Sequence, residues 1–196
     1  MKRAGDLGDD MGRPGQLGHV QTMKTLSNHT ALKEWSTVID SLGRGEQVIL
    51  IRKGGIADPK FGLDANEFYL YPTYFHQGES DHRPSVEITH WCESAHTWSV
   101  RDIDTLHRLA PLVSIPVETL EARYRFRPDQ ALHIIGVRVY RLRRPVEVRF
   151  RDEYEGCRSW LSVDDEIDVE GSTAVLTEAA LNAKLAAIDS LLTVAV

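Results

Sequence analysis

Apolar positions along this chain recur with two different periods, and the changes of period mark out its elements. Ile135, Val137 and Val139 alternate with Gly136, Arg138 and Tyr140. After Pro145, Val146, Val148 and Phe150 alternate with Glu147, Arg149 and Arg151. Period two marks a strand with one face on a core, so 131–142 and 146–150 are expected as two strands. Gln47–Arg52, rich in branched side chains, and the aromatic Glu67–Tyr71 are expected as paired strands, the second ended by Pro72. The stretch Val86–Val100 reads as extended, with a bulge near Glu93–Ala95. Val86, Ile88, His90 and Cys92 would share one face, with Thr89 and Trp91 on the other. A further short strand is expected over Ser159–Val163.

Helical spacing appears in four places. Leu32, Trp35, Val38, Ile39 and Leu42 form one stripe, which predicts a helix capped by Thr30 and stopped by Gly43 and Gly45. Asp102 or Asp104 can cap a helix through Leu106 and Leu109, closed by Pro111, and Pro116 can open another reaching Tyr124. Leu181, Leu185, Ile188 and Leu192 predict a C-terminal helix over Leu176–Leu192. Strands and helices do not alternate regularly. The expected fold is therefore α+β, with a mainly antiparallel, curved or barrel-like sheet, flanking short helices and a C-terminal helix. Residues 1–27 are glycine-rich, polar and aperiodic, and read as a disordered tail in which Met23 resembles a natural start. Residues 28–196 read as a single domain.

Composition changes this picture little, and charge changes it more. The chain has 196 residues and a net charge of −6. Its length allows a real core, and no apolar run approaches the length of a membrane span. Cys92 and Cys157 lack CxxC partners and read as reduced thiols of a cytoplasmic protein. Residues 121–160 hold ten arginines against six acids, whereas 161–196 hold seven acids against one lysine. That asymmetry fits either a nucleic-acid face backed by a solvated helix or two surfaces that pair with each other.

The densest unusual chemistry lies between Glu46 and Gln77. Arg52 and Lys53, followed by Gly54 and Gly55, could present cations and close backbone amides to a phosphate. The spacing does not fit a Walker loop, and no Nudix box follows. Thr73 can cap a turn carrying His76 and Gln77, which would place an imidazole near those cations. Glu34 and Glu67 are available as its partners. A relay of Ser159, His76 and Asp152 can be drawn, but no GxSxG elbow supports it. His90-x-Cys92 would project from one strand face. His76, His82, His96 and His107 offer it no matching pair, so neither a metal nor a cofactor is expected. Trp91, Trp98, Trp160, Tyr71, Tyr74 and Tyr140 supply core or a base-stacking platform beside Arg138, Arg141, Arg143 and Arg144, of which Arg141 and Arg143 share a face.

From Leu32 onward the sequence resembles the bacterial and archaeal family called domain of unknown function 1802. The residues carrying this are LKEW (Leu32–Trp35), GEQVILIRKGGI (Gly45–Ile56), FYLYPTYFHQ (Phe68–Gln77) and CRSW (Cys157–Trp160). The resemblance implies a small cytoplasmic protein without an established activity. In some relatives the domain accompanies restriction-endonuclease-like modules, which implies a partner of that kind and a role beside DNA modification or defence. The chain departs from the commonest family form at Phe75, where an acidic residue is expected.

The combined expectation is a nucleic-acid-associated binding module with DNA or RNA as partner. Its groove would be lined by Arg52, Lys53, Gly54, Gly55, Thr73, His76, Gln77, Arg138, Arg141 and Arg143, with Trp160 among the aromatics. The alternatives are a hydrolase of a phosphate-containing or nucleotide substrate, with His76 as acid or base, and a protein-interaction component using the acidic C-terminal segment.

Overall fold

The computed structural model describes residues 23–53, 62–74, 83–156 and 158–193. In chain order its elements are β1 (Thr30–Trp35), α1 (Ser36–Gly43), β2 (Ile49–Arg52), β3 (Glu67–Thr73), β4 (Ser85–Val100), α2 (Ile103–Leu109), α3 (Val117–Arg125), β5 (Leu132–Arg149), β6 (Trp160–Ser162), β7 (Thr173–Ala174) and α4 (Glu178–Thr193). The strands form one seven-stranded sheet in the order β2-β5-β4-β3-β1-β6, with β7 pairing β5. Its pairings are antiparallel except for β1 with β3, so the mixed α+β architecture read from the pattern holds.

The first expected helix is the largest departure. Residues 30–35 are a strand, and only 36–43 are helical. In β1, Ala31 enters the core on one side of the sheet and Leu32 the core on the other. A strand between two filled faces has no polar side, so its apolar residues also satisfy a helical template. Beyond Trp35 the stripe of Val38, Ile39 and Leu42 is a real helix face, buried throughout. Gly45, at φ +69°, supplies the left-handed turn after it and donates to Leu42 O at 2.9 Å.

The pairing expected between the two apolar runs is also replaced. β2 pairs with β5 through Ile49↔Gly136 to Arg52↔His133, and β3 lies between β4 and β1. Pro72 does not end β3, which continues to Thr73. The β4 ladder on β3 stops at Tyr69, so Pro72 needs a neighbour only on the β1 side, opposite Glu34. Pro145 likewise interrupts nothing, because β5 runs as one strand from Leu132 to Arg149. It sits in a wide irregularity where Leu142 to Pro145 oppose Thr89 alone, between the pairs Ile88↔Val146 and His90↔Arg141. That irregularity reverses faces along β4: Val86, Ile88 and Trp91 enter one core, while Cys92 enters the other. The bulge expected near Glu93–Ala95 is present, with Ala95 the extra residue between Ser94↔Val137 and His96↔Gly136.

Both faces of the sheet are covered. One core gathers α1, α2, α3 and α4 over β2, Cys92 and the first half of β5; the other packs Tyr69, Tyr71, Trp91, Tyr154 and the 161–169 segment. The helix α2 is capped by Asp102, whose carboxylate accepts from Thr105 N at 2.7 Å. The helix α4 buries Leu181 and Ile188 and lies close over Gly136. A β-carbon there would sit 2.7 Å from Leu185 Cδ2 and 3.2 Å from the Trp98 ring.

Candidate functional site: a cation and aromatic cluster around Glu34

Glu34, near the end of β1, is the most buried charged side chain described, with 1% of its surface exposed. Its Oε1 accepts from Trp35 N at 2.9 Å and its Oε2 from Arg52 Nη1 at 3.1 Å. Arg52, 13% exposed at the end of β2, also gives Nη1 to Lys33 O at 3.1 Å. No backbone ladder joins β2 to β1, so this side chain spans the gap between two strands far apart in the sheet order. Thr73, the last residue of β3, donates its hydroxyl to Glu34 O at 3.2 Å. The ends of three strands thus meet on one residue, Arg52 at its carboxylate and Thr73 at its main-chain carbonyl.

The helix α3 closes the cluster through a reciprocal pair of bonds with β2. Arg123 donates Nη1 to Ile51 O at 3.1 Å, and Lys53 donates Nζ to Tyr124 O at 2.6 Å. Both cations are bonded to main-chain carbonyls, and among the described residues neither has a carboxylate within ion-pair distance. Burial pushes the Arg123 guanidinium below the ordinary arginine range; the Glu34 charge opposes this and the Arg52 charge adds to it. Burial also lowers the Lys53 ammonium, against a weaker pull from Asp129. A cation held below its ordinary pKa by loss of water gains when an anion arrives.

Aromatic rings back these cations. The Arg123 guanidinium lies 5.2 Å from the Trp35 ring centroid, and Lys53 Nζ lies 5.6 Å from that of Tyr124. Next along the chain from Thr73, Tyr74 carries the Arg83 guanidinium at 3.9 Å, and next along from α3, Phe126 carries that of Arg127 at 5.0 Å. These distances are within the range of cation–π attraction.

Of the residues singled out from sequence, Arg52, Lys53 and Thr73 come together here. Gly54, Gly55, Phe75, His76, Gln77, His82 and Cys157 lie outside the described residues. Arg138, Arg141 and Arg143 lie elsewhere. Arg52 faces His133 across the ladder, and Arg143 is ten residues further along β5, roughly 30 Å of strand. Arg138 lies 3.9 Å from Glu93 and from Glu178, Arg141 donates to Gly43 O at 2.8 Å, and Arg143 packs against Gly171. Trp160 packs edge-on against Phe68 at 5.2 Å and donates Nε1 to Gly62 O at 2.9 Å. Cys92 is fully buried and its thiol is pushed far up by burial; His90, two residues before it, is also buried, its pKa lowered by burial and by Arg141. Among the described residues no group of three His, Cys, Asp or Glu side chains converges as a metal site. Sequence reasoning missed Arg123 and Phe126. The signal available was the alternation Arg123-Tyr124-Arg125-Phe126-Arg127, which breaks the helical pattern of α3 as the helix ends.

Fold and site together define a mixed α+β protein whose strand ends and one short helix assemble a partly buried basic cluster backed by aromatic rings. The chain belongs to the family described as domain of unknown function DUF1802, whose model matches residues 31–187. Three of the four stretches carrying the sequence resemblance, those holding Glu34, Arg52 and Thr73, meet in this cluster. Among solved structures the chain is similar to the ASCH protein of Zymomonas mobilis, at 11% identity over 80% of this chain and 93% of that one, with a TM-score of 0.47. A serine-to-alanine variant of the same protein aligns at 12% identity over 81% and 94%, also with a TM-score of 0.47. No curated protein matches the chain.

Proposed function

We propose that this protein is a nucleic-acid-binding module whose phosphate-binding site is the Arg52–Lys53–Thr73–Arg123 cluster. The observation that carries this reading is the pairing of Lys53 and Arg123 with carbonyl oxygens. Two desolvated cations that carbonyls orient but do not neutralise are suited to a phosphate backbone. Glu34 fixes the geometry of Arg52 without matching the summed charge of Arg52, Lys53 and Arg123. The bridge from Arg52 to β1 supports a further element of the reading: the sheet curls, and the cluster lies in the groove of an open barrel. The family resemblance supports a cytoplasmic setting and a restriction-endonuclease-like partner.

The test is fluorescence anisotropy with short single-stranded and duplex DNA and RNA over a range of salt. Wild type should bind at least one polymer with a log–log salt slope of about −2 or steeper. The variant Lys53→Gln should bind more weakly, with a slope shallower by about one. No binding of any polymer at low salt would sink the reading.

A further inference from the structure

We infer that the ligand is single-stranded and that Phe126, with Arg127 and Arg125 beside it, is the platform on which one of its bases stacks. This deepens the proposed function and rests on it. Phe126 is 42% exposed, one of only four large hydrophobic side chains described as exposed, and it packs into neither core. It follows α3 in an extended conformation, three residues after Arg123 of the cluster. The next residue, Arg127, has φ +53°, a left-handed conformation that arginine rarely adopts. That turn accompanies the placement of its guanidinium at 5.0 Å from the Phe126 ring. Arg125, the residue before Phe126, has a side chain that is 70% exposed and among the described residues pairs with Glu121 one helical turn back, at 2.7 Å.

An exposed ring with arginines on either side of it in the chain, three residues from a member of the proposed phosphate-binding cluster, matches what an unpaired nucleotide needs. Base stacking takes the ring and the phosphates take the cations. A duplex offers the same phosphates but no free base face, so the ring discriminates between the two forms. An acidic peptide offers charge without a planar face. Of the other aromatic–cation pairs described at this end, Trp35 with Arg123 and Tyr124 with Lys53 are held in the cluster itself and the Tyr74 ring that carries Arg83 packs against the second core, whereas Phe126 packs into neither core.

The experiment compares a single-stranded oligonucleotide, its duplex, and an abasic strand of equal length that keeps the phosphates. Binding is measured for wild type, Phe126→Ala and Phe126→Trp. Wild type should prefer the ordinary strand over the abasic strand and the duplex. Phe126→Ala should lose about ten-fold or more on the ordinary strand alone, and Phe126→Trp should retain binding. Duplex and abasic binding, and the salt slope, should stay as they are in Phe126→Ala. Equal binding of abasic and ordinary strands by wild type would overturn this inference while the polyanion reading stands. An equal loss on all three probes in Phe126→Ala would overturn it too, as would polyglutamate bound as tightly as the strand. Failure of wild type to bind any of the probes would remove both.

Discussion

At the residue scale, Glu34 shows how a single buried carboxylate can organise a basic region. It takes a bond from its neighbour's backbone and one from Arg52, with Arg123 close enough to feel its charge. Removing one member of a buried pair is far more costly than replacing both by apolar groups. Glu34→Ala should therefore lower the stability by about 3 kcal/mol in urea unfolding, and a Glu34→Leu/Arg52→Met double variant should recover most of that loss. Additive losses in the double variant would show that the two side chains are not coupled. Tyr140 offers a second test of a local environment. Burial, together with the bond its hydroxyl donates to Glu93 Oε2 at 2.8 Å, pushes its phenol up to about 12. The folded state thus keeps a proton that the unfolded chain releases near the ordinary tyrosine value of about 10. This contribution to stability is complete below pH 10 and is lost as the pH rises through the folded pKa. In an absorbance titration at the tyrosinate band, Glu93→Gln should bring one tyrosine down toward the ordinary value. An unchanged titration would mean that Glu93 does not hold that proton.

At the element scale, the contact between α4 and β5 depends on the absence of a side chain at Gly136. A β-carbon would fall 2.7 Å from Leu185 Cδ2, with the Trp98 ring behind it, and Trp98 itself donates to Asp189 at 3.0 Å. Gly136→Val should displace α4 at a cost of about 1–3 kcal/mol. Hydrogen exchange should show faster exchange of α4 amides while β4 and the second half of β5 stay protected; unchanged protection of α4 would contradict this docking. The helix itself was legible in the sequence, as were a cap at Asp102 or Asp104 and a bulge near Glu93–Ala95, because each is set by residues close together in the chain. The pairing of β2 with β5 was not legible. It depends on partners more than 80 residues apart, and nothing local distinguishes β5 from β3 as the neighbour. For β1, burial on both faces erased the alternation that identifies a strand. The site divides in the same way. Arg52, Lys53 and Thr73 stand out in sequence by their glycine and proline neighbours. Arg123, on a helix rich in exposed charge, reads as solvated until α3 is seen to exchange bonds with β2.

At the scale of the whole molecule, net charge and local charge point in opposite directions. The chain carries −6 overall, yet its acidic C-terminal segment is not spread evenly over the basic one. Glu178 lies beside Arg138, and Asp164 holds Arg151 at 2.7 Å, so acids of that segment sit against β5 and the strand's exit. No such pair is described at the α3 end, where Lys53 and Arg123 bond carbonyls and Arg125 pairs with Glu121 of its own helix. Acids of the C-terminal segment thus answer arginines along β5, and among the described residues none is paired with a cation at the α3 end. An oligonucleotide should therefore feel the α3 end and be indifferent to the arginines of β5. Each cation that contacts a phosphate contributes nearly one to the salt slope of log affinity. Arg125→Gln should make that slope shallower by about one and weaken all sequences alike. Arg138→Gln/Arg143→Gln should leave both slope and affinity within about two-fold of wild type, because Arg138 already lies beside two carboxylates and Arg143 lies far along the strand. The reverse result, a slope changed by the β5 pair and untouched by Arg125, would move the binding surface to the middle of β5 and leave the Glu34 cluster a purely structural clamp.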